Sequence, residues 1–68
     1  MHKDLRYKDR VYRIIWEAPA AAHPAECIAV AYDVSNPKNP KEVFKQSCFE
    51  EKDLDPLRQQ AEAFIKGL

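Results

Sequence analysis

Two runs of alternating residues limit what this chain can become. From Val11 to Glu17 the sequence reads Val-Tyr-Arg-Ile-Ile-Trp-Glu, the β-branched and aromatic mix that suits a pleated, half-buried surface. Alternation puts Tyr12, Ile14 and Trp16 on one side, with Val11, Arg13, Ile15 and Glu17 on the other. From Cys27 to Val34 the pattern recurs: Ile28, Val30, Tyr32 and Val34 share one face, and Cys27, Ala29, Ala31 and Asp33 share the other. The small residues of the second face would let a helix or another sheet approach closely. Either face of this strand can therefore be a core face, and both can be if the sheet lies in the middle of a dimer.

The connections are written in proline rather than glycine. Residues 18–25 are alanine-rich, but Pro19 and Pro24 remove backbone donors and bias their predecessors away from the helical region. A loop between strands is expected there. Residues 35–41 hold Asn-Pro-Lys twice in tandem, turn chemistry that predicts an exposed hairpin tip. A third strand follows over 42–49, with neither face cleanly apolar, as suits an edge strand or a bulge. The acidic stretch 50–55 leads into a helix that starts near Asp53 or Asp55, and Asp55 followed by Pro56 fits an N-cap with proline at the first helical position. Leu57, Ala61, Phe64, Ile65 and Leu68 recur at helical spacing as one apolar stripe, and Gly67 is placed to end the helix. Residues 1–10 are mostly polar and read as a basic arm or a lead-in to the first strand.

These readings add up to an α+β fold: a single β-β-β-α domain over 11–68, preceded by the polar arm 1–10. Its three-stranded antiparallel sheet carries one C-terminal helix on a face. Val11, Ile15, Ala29 and Ala31 are expected to line the face that the helix leaves bare. The β-β-β-α outline alone, without shared motifs, assigns the chain to no family.

Size bears on association. The chain has 68 residues, and a domain near that length buries only about 60% of the surface its unfolded form exposes. Small domains commonly add a disulfide, a metal or a partner subunit. With no apolar run behind the N-terminal charges, a cytoplasmic protein with reduced Cys27 and Cys48 is expected. The longest apolar stretch, Cys27 to Tyr32, is six residues, against the roughly 20 needed to cross a bilayer. A homodimer, without membrane association, is the expected state.

Little in the sequence points to catalysis. Gly67 is the only glycine, which excludes glycine-rich phosphate loops and dinucleotide fingerprints. Ser35 and Ser47 have no nucleophile-elbow context. His23 precedes Cys27 by four residues, but Pro24 between them prevents a shared helical face. His23, Glu26, Cys27 and Cys48 are zinc-type ligands without the paired short spacing that marks a zinc site. No catalytic, cofactor-binding or metal-binding residue is assigned, and the chain is read as non-enzymatic.

Charge is distributed unevenly although it balances overall, eleven basic against eleven acidic residues. Lys3, Arg6, Lys8, Arg10 and Arg13 outnumber Asp4 and Asp9 near the start, while Glu50, Glu51, Asp53 and Asp55 outnumber Lys52 later. Two function classes follow. The leading expectation is a binding or assembly module that self-associates or takes a protein partner through exposed parts of Tyr12, Trp16 and Tyr32. The alternative is a nucleic-acid-binding regulator using Arg6, Tyr7, Lys8, Arg10 and Arg13, with phosphate attraction and base stacking combined. Neutralisation of the basic segment by the acidic turn is the simpler account, because overall neutrality weakens the footprint of a nucleic-acid binder.

Overall fold

The computed structural model describes residues 1–18 and 27–68. Within them the chain forms β1 (His2–Tyr7), β2 (Arg10–Glu17), β3 (Cys27–Asp33), β4 (Lys41–Cys48), a 3-10 turn (Glu51–Asp53) and α1 (Leu54–Lys66). The sheet is an antiparallel meander in the order β1-β2-β3-β4. It has four strands, not the expected three, because the N-terminal segment is a strand rather than an arm. The proline-flanked stretch read as a loop, with His23 and Glu26, lies outside the described residues.

The extra strand depends on a turn that the sequence does not advertise. Lys8 and Asp9 both have positive φ, 51° and 64°, and Tyr7 pairs with Arg10 across them. Two consecutive positive-φ residues make the mirror-image hairpin turn whose twist matches that of the flanking strands. Glycine or asparagine usually fills it; here lysine and aspartate do.

Register assigns the faces. Ile14 lies opposite Ala31 and Trp16 opposite Ala29, while Ile15 lies opposite Val30 and Arg13 opposite Tyr32. Ala29 and Ala31 therefore sit with Ile14 and Trp16, not with Val11 and Ile15 as expected. Helix α1 packs on the alanine side. Ile14, Ala29, Ala31, Ala61 and Ile65 are all fully buried, and Tyr12, Cys27, Leu54 and Leu57 nearly so. Small side chains on β3 and on the facing turn of α1 let the two backbones approach closely. Leu5 and Tyr7 of β1 pack against the same cluster, so the fourth strand contributes to the core.

The helix starts at the earlier of its two expected positions and ends at Gly67 as expected, but its buried stripe differs. The helix begins at Leu54, with Asp53 in the capping position and no side-chain cap bond. Pro56 is then the third helical residue, where its missing N–H would have had no intrahelical partner anyway. Gly67 does follow the last helical residue, with φ −94° and its N–H on the Ala63 and Phe64 carbonyls. The buried stripe runs Leu54, Leu57, Ala61, Ile65. Phe64 and Leu68, expected within it, are 43% and 48% exposed. Phe64 instead meets Phe44 at the stripe's margin, ring centroids 5.7 Å apart.

The β3–β4 tip is turn chemistry, as expected. Asn39 donates its N–H to the Asn36 carbonyl at 3.0 Å, and the Asn36 side chain accepts from the Lys38 N–H at 3.1 Å. In β4 the register shifts between the partners of Ala31 and Tyr32, which pair with Phe44 and Glu42. Val43 is the extra residue of this bulge.

Candidate interaction face

One helix covers one side of the sheet. The other side is built by the opposite parity of every strand: His2, Asp4 and Arg6 from β1, and Val11, Arg13, Ile15 and Glu17 from β2. Ile28, Val30 and Tyr32 come from β3, and Glu42, Lys45 and Ser47 from β4. Val11, Ile15, Ile28, Val30, Tyr32 and the adjoining Val34 are all half-buried. They form an apolar stripe along the two central strands, interrupted by Arg13 and Glu17 of β2, and the two edge strands carry the rest of the face's charge.

The end of this stripe nearest the β3–β4 tip is concave. Val11, Ile15, Tyr32 and Val34 floor a depression of about 510 Å³, with Pro37 and Pro40 at its wall and Asp4 and Arg13 at its rim. The tip is held over it from β2: the Val11 N–H donates to Ser35 Oγ at 3.0 Å, and the Ser35 N–H donates to Asp33 Oδ1 at 3.0 Å. That backbone donor, helped by the Ser35 hydroxyl and by Arg10 and Lys41, holds the Asp33 carboxyl below its ordinary pKa. Arg13 bridges Asp4 in a bidentate manner, at 2.8 and 3.2 Å, and lowers its pKa in turn. Arg13 at the rim is therefore engaged by Asp4 rather than a free cation.

The three residues expected to bind a partner are divided between the sides. Tyr32 lies in the open stripe. Tyr12 is on the helix side and only 4% exposed, which leaves it no surface to offer. Trp16 is also on the helix side, half-buried, with the Arg58 guanidinium 5.6 Å from its ring centroid. Arg58 is itself held by Asp55 and Glu62.

The basic residues of the nucleic-acid alternative are dispersed. Tyr7 donates its hydroxyl to the Lys66 carbonyl at 2.7 Å, and Lys8 donates to the Leu68 carbonyl at 2.9 Å, so both secure β1 and its turn to the end of α1. Arg10 pairs with Asp33 at 3.1 Å, and Arg13 is committed to Asp4 on the open face. Arg6 is exposed at the sheet edge. These five do not make one basic surface. Lys3, in turn, reaches Glu62 of the helix at 2.7 Å.

Val11 and Ile15 lie on the bare face as expected, whereas Ile28, Val30 and Val34 were not assigned to it from the sequence. Their signal was present in β3, whose two faces are both apolar; only the register could say which face the helix takes. Among the described residues, no group of three His, Cys, Asp or Glu side chains gathers as a metal site, and no helix is long and apolar enough to cross a membrane. No family model, no curated protein and no solved structure matches this chain.

Proposed function

We propose that the protein is a small, non-enzymatic assembly module whose open sheet face is covered by a second copy of itself. The observation that carries this reading is the half-buried stripe of Val11, Ile15, Ile28, Val30, Tyr32 and Val34 on the side without a helix. Contiguous apolar surface of this kind on a small domain favours covering. Extent supports it too: the molecule is a slab with principal dimensions 38 × 24 × 15 Å. Its broad face is comparable with the roughly 800 Å² per partner of a standard interface.

Charge selects the geometry. Along β1 the face presents His2 and Asp4 in successive rows, and along β4 it presents Lys45 and Glu42 in the same two rows. A two-fold axis lying between the faces and perpendicular to the strands exchanges the rows and keeps the columns. It sets Glu42 over the partner subunit's Lys45, and Asp4 over the partner subunit's His2. An axis parallel to the strands would instead oppose Asp4 to a second Glu42. The first arrangement is self-complementary, as an isologous interface requires.

Sedimentation over a micromolar concentration series tests the reading. A species of twice the 7.9 kDa chain mass, converted to monomer by Val30→Glu without loss of helix signal, is the expected result. Lys45→Glu should weaken association, and Glu42→Lys combined with it should restore it. A wild-type chain that stays monomeric throughout would end the proposal.

A further inference from the structure

Cys27 opens β3 and Cys48 closes β4, and the register sets them directly opposite one another as the last pair of that ladder among the described residues. Directly opposed residues of an antiparallel pair share a side of the sheet, with Cα atoms about 4.5–5.5 Å apart. That spacing falls within the roughly 4.4–6.8 Å that a disulfide spans. Both side chains are free thiols. They differ in access: Cys27 is 2% exposed, whereas Cys48 is half-buried, its thiol donating to the Glu50 carbonyl at 3.4 Å. Desolvation, and the Cys27 thiol beside it, push the Cys48 thiol above its ordinary pKa.

We propose that Cys27 and Cys48 form a dithiol site that takes a small-molecule disulfide of the glutathione class as oxidant and closes reversibly into a cross-strand bond. The half-buried Cys48 reacts first, as its thiolate. It attacks one sulfur of glutathione disulfide, the S–S bond breaks, and one glutathione leaves as a thiolate that takes up the proton Cys48 lost. Cys27 then gives up its proton and attacks the Cys48 sulfur, releasing the second glutathione, which is protonated in its turn. Two protein thiols are oxidised and one glutathione disulfide is reduced to two thiols. The high thiol pKa of Cys48 makes the first step accelerate as pH rises. The bond would staple the β3–β4 hairpin on the helix side. The open face plays no part in it, so this site and the self-association stand or fall separately.

The test is to equilibrate the 68-residue chain in glutathione redox mixtures, quench with acid and weigh it intact, in buffer and in concentrated urea. The expected product is a single chain lighter by two hydrogen atoms, with both cysteines protected from alkylation. Its equilibrium constant should be roughly 30- to 1,000-fold larger in buffer than in urea, the fold-equivalent of the usual stabilisation by a disulfide. Cys27→Ser should stop at the glutathione adduct of Cys48, and Cys48→Ser should leave Cys27 unmodified in the folded protein. Persistence of the wild-type adduct, a disulfide-linked dimer as the main oxidised product, or equal constants in buffer and urea would each overturn the assignment. The comparison between buffer and urea needs no variant, so it holds even if a serine substitution fails to fold.

Discussion

On the two central strands the faces of the sheet carry comparable numbers of apolar side chains, six against five, yet the helix covers only one face. On the covered face, β3 contributes Cys27, Ala29 and Ala31, all at or near zero exposure, against the larger Tyr12 and Ile14 of β2. On the open face, β3 contributes Ile28, Val30 and Tyr32 beside Val11 and Ile15. The edge strands do add Leu5, Tyr7 and Phe44 to the covered side, but along these two strands hydrophobicity alone does not separate the surfaces. Side-chain volume does, because a helix needs room along its axis, and two alanines in the centre of the sheet supply it. Branched residues on both central strands leave the open face without that room.

The largest test of this contrast uses two adjacent isoleucines. Ile14 is fully buried beneath the helix, while Ile15 is half-buried in the open stripe. Ile14→Ala should cost about 2–5 kcal/mol, independent of protein concentration. Ile15→Ala should cost less and, on the proposed self-association through the open face, its cost should shrink as the protein is diluted. Denaturation at two concentrations a hundredfold apart measures both. Equal, concentration-independent losses would erase the distinction between the faces.

Acid probes the ion pairs that bind the edge strand to its neighbours. Lys3, with Arg58 and Lys66 assisting, lowers the pKa of Glu62 from its ordinary value of 4.5, and Arg13 lowers that of Asp4 from 3.8. Asp33, lowered by the Ser35 N–H, behaves likewise. Groups depressed on folding add stability that is present above their ordinary values and lost as pH falls through the folded ones. Stability should therefore decline once pH drops below about 4.5, the ordinary value for Glu62. Glu62→Gln should make that decline shallower, because it removes the group that joins β1 to the helix. Superimposable acid curves for the two proteins would mean that this pair contributes nothing.

Much of the fold was legible, and the omissions have physical causes. Strands β2, β3 and β4 and the helix follow from alternation and from the 3.6-residue spacing. The helix phase was slightly off: Phe64 shares the stripe's periodicity, but its ring lies at the margin against Phe44. Which β3 residues join which β2 residues was illegible, because a slip of one residue exchanges every side chain between faces. The observed pairing, Ile14 with Ala31 and Ile15 with Val30, is one of two parities that the pattern allows equally. Without that parity the open stripe could not be read as a site. Strand β1 was missed for two reasons. It has only Leu5 and Tyr7 as apolar residues among charges, and its turn lacks glycine.

That turn gives the smallest expected effect, and it bears on both faces at once. By closing the hairpin with Tyr7 opposite Arg10, it sends Leu5 and Tyr7 to the helix side and Asp4 and Arg6 to the open side. Asp9 holds φ 64° there, a conformation that costs an L-residue roughly 1–2 kcal/mol, and aspartate somewhat less through local hydrogen bonding. Glycine removes that cost, but it also raises the entropy of the unfolded chain by about 0.5–1 kcal/mol. Asp9→Gly should therefore stabilise by about 0.5 kcal/mol, read as a higher urea midpoint with unchanged slope. The β3–β4 tip supplies the opposite sign. Among the described residues only Lys8 and Asp9 have positive φ outside glycine, so Asn39→Gly relieves nothing and should lose up to about 1 kcal/mol through the unfolded state. Both substitutions shifting the midpoint the same way would show that the β1–β2 turn is not the mirror-image type. The side-chain parity of β1, and with it the division of its residues between the two faces, would then have to be drawn again.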